Sequence, residues 1–192
     1  MFSFSIQNNA LNACTKKISL INDMRSVWEQ HVWWTREFII SVAANLNDLE
    51  PVTARLIKNA TDMAEIFGQY YPVEIKNTIE QLITEHLTVA AQLVKALKAG
   101  DSAAANAANL KWYKNADAIA AAFAAFNPYY SEEEVRRMFY EHLDLTKKEA
   151  GFRLAGNFVM DIQTFDAIER EALAMADYFA KGIIKQFPNR FE

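Results

Sequence analysis

Residues 72–100 read PVEIKNTIEQLITEHLTVAAQLVKALKAG, and this stretch decides the fold class. Its apolar residues recur every three or four positions, as they do on one face of an α-helix. Pro72 suits the first turn of a helix, and Gly100 suits the left-handed residue that follows the last turn. The stretch therefore predicts one long amphipathic helix. The residues on its apolar stripe are Ile75, Ile79, Leu82, His86, Val89, Leu93 and Leu97.

The same pattern returns 56 residues further along the chain. A shift of that length places His86 on His142 (142 − 86 = 56). It also places the proline and the glycine that bound the first helix on Pro128 and Gly156. Each helix precedes a second helical segment, so the sequence predicts an internally duplicated helical hairpin. The two repeat units are residues 72–126 and 128–187.

The rest of the chain also has helical periodicity and helix-capping residues, with no alternating apolar pattern of the kind typical of strands. We therefore expect an all-α, up-down helical bundle. Before residue 72 we predict a helix from a cap at Asn22 or Asp23 to before Pro51, followed by one or two short helices between Pro51 and Tyr70. After residue 99 we predict a helix that is capped by Asp101 and ends near Phe126, and then a helix that is capped by Ser131 and ended by Gly156. The last predicted helix runs from Asn157 to before Pro188.

Composition limits the classes of function. The 192 residues are 52% apolar, which suits a single domain, residues 1–192, with a continuous core. Lys and Arg number 20 against 24 Asp and Glu, without a long basic run, so we expect no nucleic-acid partner. The longest purely apolar stretch, Ala118 to Phe126, is too short to span a membrane. Cys14 is the single cysteine and no signal-like start is evident, so we expect a cytoplasmic protein.

All three histidines of the chain lie on predicted inner stripes, near the middle of long helices. They are His31, His86 and His142. An inner face takes about 3/7 of helix positions, so chance would place all three there with a probability of roughly 0.08. Glu or Gln precedes each histidine, and Gln30-His31-Val32 resembles the other two motifs. The pattern favours one shared site.

A carboxylate is predicted to join them. Glu169 lies thirteen residues after Gly156 and His142 fourteen residues before it, which places the two at similar heights in the hairpin. The predicted ligand set is His31, His86, His142 and Glu169. Nitrogen and carboxylate ligands suit a transition-metal cofactor, either iron, manganese or zinc. Glu85, Asp117 and Glu149 are the predicted supporting groups, and Glu149 is also the candidate base if the protein is an enzyme.

A second interpretation remains open from the sequence. Histidines on an apolar face are commonly core residues that form hydrogen bonds to neighbours, here Glu85, Glu141, Thr35 or Thr146. The protein would then be a non-catalytic structural or interaction bundle. In that case its tryptophans would contact a partner or a second copy in a homodimer. Neither interpretation specifies a reaction.

Several segments resemble a family of small, uncharacterised bacterial helical proteins. The segments are QHVWWTREFIIS (30–41), LITEHLTVAAQLVKALKAGD (82–101), KWYKNADAIA (111–120), FYEHLDLT (139–146) and DAIEREALAMADYFAKGIIKQFP (166–188). The Glu-His pairs also look loosely like those of metal-binding bundles of ferritin-like or hemerythrin-like architecture. That resemblance implies a buried metal. However, the Glu-x-x-His spacing of di-iron sites is missing, because Trp28, Ile83 and Phe139 stand three residues before the histidines. A mononuclear site fits the sequence better.

Overall fold

The computed structural model describes the backbone of residues 2–192 and the side chains of residues 13–192. Within this part of the chain, six α-helices and a short 3-10 turn follow one another, with no strand. The all-α class predicted from the sequence is confirmed. The helices are α1 (Phe2–Ala44), α2 (Leu49–Gly68), α3 (Val73–Ala99), α4 (Ser102–Phe126), α5 (Glu132–Leu154) and α6 (Phe158–Gln186), and the 3-10 turn is Pro188–Phe191.

The helices form a closed ring of three hairpins. Each helix packs against the one before it and the one after it, and α6 returns to pack against α1. The odd-numbered helices α1, α3 and α5 also contact one another, so they form an inner triangle. Short turns join the helices, which makes consecutive helices antiparallel and the three inner helices parallel. This ring is a helical bundle, but it does not confirm the ferritin-like part of the prediction.

The predicted helix ends agree with the structure from residue 72 onward. The side chains of Asp101, Ser131 and Asn157 accept hydrogen bonds from the backbone N–H three residues later, as helix caps do. Gly100 has a φ of 70° and Gly156 a φ of 73°, a left-handed conformation that favours glycine. These caps and turns determine where α3 and α5 end. They thereby set the heights of His86 and His142.

The predicted start of the first helix was wrong. Asn22 and Asp23 do not begin it, because α1 is already helical well before them. The reason is that Leu20 is buried at 3% exposure, beside Tyr70 and Phe191. This contact extends the apolar stripe of α1 toward the N-terminus. Near the other end of α1, the segment predicted to hold one or two short helices between Pro51 and Tyr70 holds one helix, α2, which begins at Leu49 and ends at Gly68.

Among the described residues, no helix is both long enough and apolar enough to cross a membrane.

Candidate metal centre

The three histidines meet inside the triangle of inner helices. His31 on α1, His86 on α3 and His142 on α5 are 3%, 2% and 2% exposed. One ring nitrogen from each can be chosen so that all three lie within 4.8 Å of one another. The Nε2 atoms of His31 and His142 are 3.3 Å apart. The prediction that the three histidines lie close together in the core is confirmed.

The opposite ring nitrogen, Nδ1, contacts an oxygen in each of the three cases. Nδ1 of His31 lies 3.2 Å from Oδ1 of Asn59 on α2. The corresponding distance from His86 to Oδ1 of Asn115 on α4 is 3.0 Å, and that from His142 to Oε2 of Glu171 on α6 is 3.0 Å. Each hairpin therefore contributes one histidine from its first helix and one oxygen partner from its second. The sequence separations are 28, 29 and 29 residues.

The orientation of the two asparagine side chains follows from their other hydrogen bonds. The Asn59 amide N–H donates to the carbonyl oxygen of Val27 at 3.1 Å. In the same way, the Asn115 amide donates to the carbonyl oxygen of Leu82 at 3.0 Å. Both carbonyls lie four residues before the histidine concerned. Because each amide N–H is used in this way, the amide oxygen is the atom that faces the histidine.

This network determines which ring nitrogens carry the protons. An amide oxygen or a carboxylate oxygen accepts hydrogen bonds, so Nδ1 of each histidine is the donor. In a neutral imidazole the other nitrogen, Nε2, then holds a lone pair. Nε2 of His86 is buried and has no hydrogen-bond partner among the described protein groups. With all three rings neutral, three nitrogen lone pairs would face one another in the centre of the bundle.

Burial favours the neutral form of His31 and His86. Desolvation is the largest cause that lowers the pKa of His31 well below its ordinary value, and the neighbouring histidines lower it further. Desolvation and the proximity of His142 likewise lower the pKa of His86 to about 3. A neutral imidazole is the form that binds a metal ion.

These pKa shifts predict acid sensitivity of the metal-free protein. At pH values between the lowered pKa of each ring and the ordinary histidine pKa of 6.5, the unfolded chain binds more protons than the folded chain. The free energy of unfolding should therefore fall as the pH drops below about 6.5, by up to about 1.4 kcal/mol per pH unit for each of the two rings. The raised pKa of Glu149 shifts stability in the opposite direction over the same range, so urea unfolding of the Glu149→Gln variant at pH 7.5 and 5.5 measures the effect of the rings. Equal stability of this variant at the two pH values would contradict the prediction.

Glu149 is the other buried ionisable group close to the site. It is 1% exposed on α5, and burial raises its pKa to about 7 although Arg36 opposes the shift. Nη1 of Arg36 lies 2.5 Å from Glu149 and 2.7 Å from Asp161, whose carboxylate Arg153 also contacts at 3.1 Å. Seven residues separate Glu149 from His142, a rise of about 10 Å along the helix. Glu149 therefore lies outside the histidine layer, although His142 still lowers its pKa slightly through space.

The structure does not bring Glu169 to the three histidines. Its side chain is half-buried in a surface depression beside Trp33 and Phe165. The carboxylate that reaches the cluster is that of Glu171, two residues later. Because two residues turn a helix by about 200°, the two side chains leave α6 in nearly opposite directions. The ligand role of Glu169 stays a prediction without geometric support.

The predicted supporting groups lie further out. Glu85 accepts a hydrogen bond from the Asn115 amide at 3.4 Å, so it contacts an oxygen partner of the cluster. Asp117 forms an ion pair with Arg136 at 2.9 Å on the flank of the bundle. Asp117 therefore links α4 to α5 rather than supporting a histidine.

Sequence reasoning missed Asn59 and Glu171. A signal for Glu171 was nevertheless present, because Asn115 follows Gly100 by fifteen residues and Glu171 follows Gly156 by the same number. Asn59 was hidden because residues 51–70 were interpreted as a connection rather than as the second helix of a hairpin. Matching all three hairpins in the sequence would have indicated the complete set of oxygen partners.

Comparisons of the chain with protein-family models, with curated proteins and with solved structures find no match. The chemistry of the site therefore has to be inferred from its own geometry.

Proposed function

We propose that this protein binds one divalent first-row transition-metal ion through Nε2 of His31, His86 and His142. The observation that carries the proposal is the convergence of three lone-pair nitrogens, each on a ring oriented by an oxygen partner on the next helix. Metal-ligating histidines characteristically donate their other ring N–H to a carboxylate or a carbonyl oxygen. This similarity to metal sites and their outer hydrogen-bonding partners supports the proposal.

The spacing of the nitrogens supports a tetrahedral ion. Zinc binds imidazole nitrogen at about 2.0–2.1 Å, and two such nitrogens in a tetrahedron lie about 3.4 Å apart. The separation of 3.3 Å between Nε2 of His31 and Nε2 of His142 is close to this value. The cluster as a whole spans up to 4.8 Å, so a shift of up to about 1.4 Å in His86 (4.8 − 3.4) completes the set. Three protein ligands leave a fourth position for a small exogenous ligand.

The donor set also narrows the choice of metal. Imidazole suits zinc, iron, copper and nickel, whereas manganese prefers carboxylates and water. With Glu169 outside the cluster, the ligands are all nitrogen, which favours zinc or iron(II) over manganese. Glu171 supplies the one formally anionic partner, through His142. Three roles are compatible with such an ion: catalysis as a metal-dependent oxidoreductase, sensing and storage.

Direct metal loading tests the proposal. Protein purified without a histidine tag would be stripped with a chelator, titrated separately with Zn²⁺ and Co²⁺, desalted and assayed for bound metal. We expect one ion per chain, a cobalt absorption spectrum typical of tetrahedral nitrogen ligation, and a higher melting temperature. An ion present at 100 times its dissociation constant adds about 2.7 kcal/mol to the free energy of unfolding.

The hydrogen-bonded alternative predicts a different outcome. The 3.3 Å distance between His31 and His142 would also suit a single proton shared by two rings. In that case neither ion would be retained after desalting, and neither would change the melting temperature. That combined result would reject the metal site and favour a structural role for the histidines.

A further inference from the structure

The burial of the groups around the histidines limits the routes by which an ion can reach them. The three rings are 3%, 2% and 2% exposed, and the oxygen partners Asn59 and Asn115 are 0% and 4% exposed. The third oxygen partner differs, because the side chain of Glu171 is 9% exposed and also lines a surface depression. Of the six groups that form the site, Glu171 is therefore the most exposed to solvent.

This surface depression lies between α5 and α6, at the height of the contact between His142 and Glu171. Its volume is about 360 Å³. On α5 its wall includes the residues four before, one before and three after His142, and on α6 it includes those four before and three after Glu171. These wall residues are Met138, Glu141, Leu145, Ala167 and Ala174. Since Oε2 of Glu171 lies 3.0 Å from Nδ1 of His142, Glu171 touches both the α5–α6 depression and the nearest ring.

Glu171 departs from the pattern of the other two hairpins. Asn59 and Asn115 each donate an amide N–H to the backbone carbonyl four residues before the histidine, which holds both ends of the amide. A carboxylate has no N–H to donate, so Glu171 cannot form the corresponding bond to Met138. Its Oε1 atom is buried and has no hydrogen-bond partner among the described protein groups. Such an oxygen is rare in proteins, and a carboxylate oxygen is a good ligand for a divalent cation.

The three hairpins also differ in the charge that lies outside each histidine. The residue before the histidine is an amide in the first hairpin and a carboxylate in the other two, namely Gln30, Glu85 and Glu141 in chain order. Glu85 is paired with Lys111, and Glu141 with Arg137. Arg170, the other arginine of the α5–α6 depression, is exposed on α6. The third hairpin alone therefore places a carboxylate that lacks a Lys or Arg partner, that of Glu171, in contact with a histidine ring.

We propose that a divalent metal ion enters the bundle through the α5–α6 depression and binds Glu171 before it reaches the three histidines. The inference rests on the proposed metal site. The Glu171 carboxylate turns away from His142, takes up the ion at the depression, and delivers it to the histidine layer as it turns back. In the final state Glu171 again accepts the hydrogen bond from Nδ1 of His142. It is thus a transfer ligand and not a member of the final ligand set.

Narrowing the α5–α6 depression tests the route. Ala167→Trp and Ala174→Trp each place a large ring in its wall without altering a ligand. In stopped-flow measurements with Co²⁺, the association and dissociation rate constants should both fall by more than about tenfold, which corresponds to a barrier about 1.4 kcal/mol higher. The dissociation constant should stay unchanged, because a narrowed route hinders exit as much as entry. The matched control is Ala122→Trp, since Ala122 is half-buried like Ala167 but lies on α4, away from the depression.

Glu171→Gln separates transfer of the ion from orientation of the His142 ring. Losing an orienting partner alone speeds dissociation of the ion, whereas losing a transfer ligand slows its association. We expect the association rate constant of this variant to fall by more than about tenfold. If both tryptophan variants bind Co²⁺ as fast as the control, or if Glu171→Gln changes only the dissociation rate constant, the inference is wrong and the metal site stands. If the unsubstituted protein retains no ion at equilibrium, the proposed function fails and the inference fails with it.

Discussion

Replacing His86 with alanine should lower the affinity of the protein for Zn²⁺ by more than about 100-fold, because loss of a direct ligand exceeds the 10- to 100-fold effect of losing an outer partner. Two imidazoles would remain, and they hold a tetrahedral ion poorly. Competition with a chromophoric chelator measures the dissociation constant, and the zinc-induced rise in melting temperature should disappear in the same variant. Unchanged affinity would show that zinc binds elsewhere.

The carboxylates of α6 provide a graded control for this experiment. Glu171→Gln removes the charge that faces Nδ1 of His142 and should weaken zinc binding by about 10- to 100-fold. Glu169→Ala, two residues away in the surface depression beside Trp33, should leave the affinity unchanged. If Glu169→Ala weakened binding as much as Glu171→Gln, the ligand set inferred from the sequence would be favoured over the one seen in the structure.

Replacing Arg36 with methionine should lower the free energy of unfolding by about 3 kcal/mol at pH 8, near the low end for breaking a buried ion pair. Arg36 is the cation closest to the Glu149 carboxylate and also contacts Asp161, and both carboxylates are almost fully buried. Because burial raises the pKa of Glu149 to about 7 even beside Arg36, this carboxyl group is readily protonated. The loss of stability should therefore be smaller at pH 6, as measured by urea unfolding at both pH values.

Two further variants distinguish a buried charge effect from a general loss of packing. Adding Glu149→Gln to Arg36→Met should restore much of the lost stability, since it removes one unpaired carboxylate. Arg137→Met breaks ion pairs to Glu134 and Glu141 on the exposed side of α5, which should cost at most about 1 kcal/mol. A loss at Arg36 no larger than that at Arg137 would mean that the buried network does not stabilise the fold.

Most of the fold could be predicted from the sequence because its helices carry strong local signals. Gly100 and Gly156 end α3 and α5 through their own backbone conformation, and Asp101 and Asn157 cap the helices that follow. The true start of α1 could not be predicted in this way. It depends on Leu20 packing near residues from the opposite end of the chain, a contact that no local pattern contains.

The sequence analysis identified the three histidines of the candidate site but not all of their oxygen partners on the neighbouring helices. The apolar inner stripes of the helices indicate the three histidines, because buried positions recur every three or four residues along a helix. The partner on the neighbouring helix depends on rotation about that helix as well as on height. Glu169 and Glu171 differ little in height but leave α6 in nearly opposite directions, so height alone indicated Glu169, whereas the carboxylate that contacts His142 is that of Glu171. The contact between Arg36 and Asp161 spans 125 residues and has no local signature.

The placement of one histidine in each hairpin also affects how the metal-loaded chain would unfold. An ion held by all three rings would act as a reversible cross-link between residues that are 55 and 56 positions apart (86 − 31 and 142 − 86). Cross-links that close loops of this length restrict the unfolded chain strongly. Detaching any whole hairpin from the other two would require a metal–nitrogen bond to break first. We therefore expect the loaded protein to unfold much more slowly than the stripped protein and to resist proteolysis between residues 31 and 142.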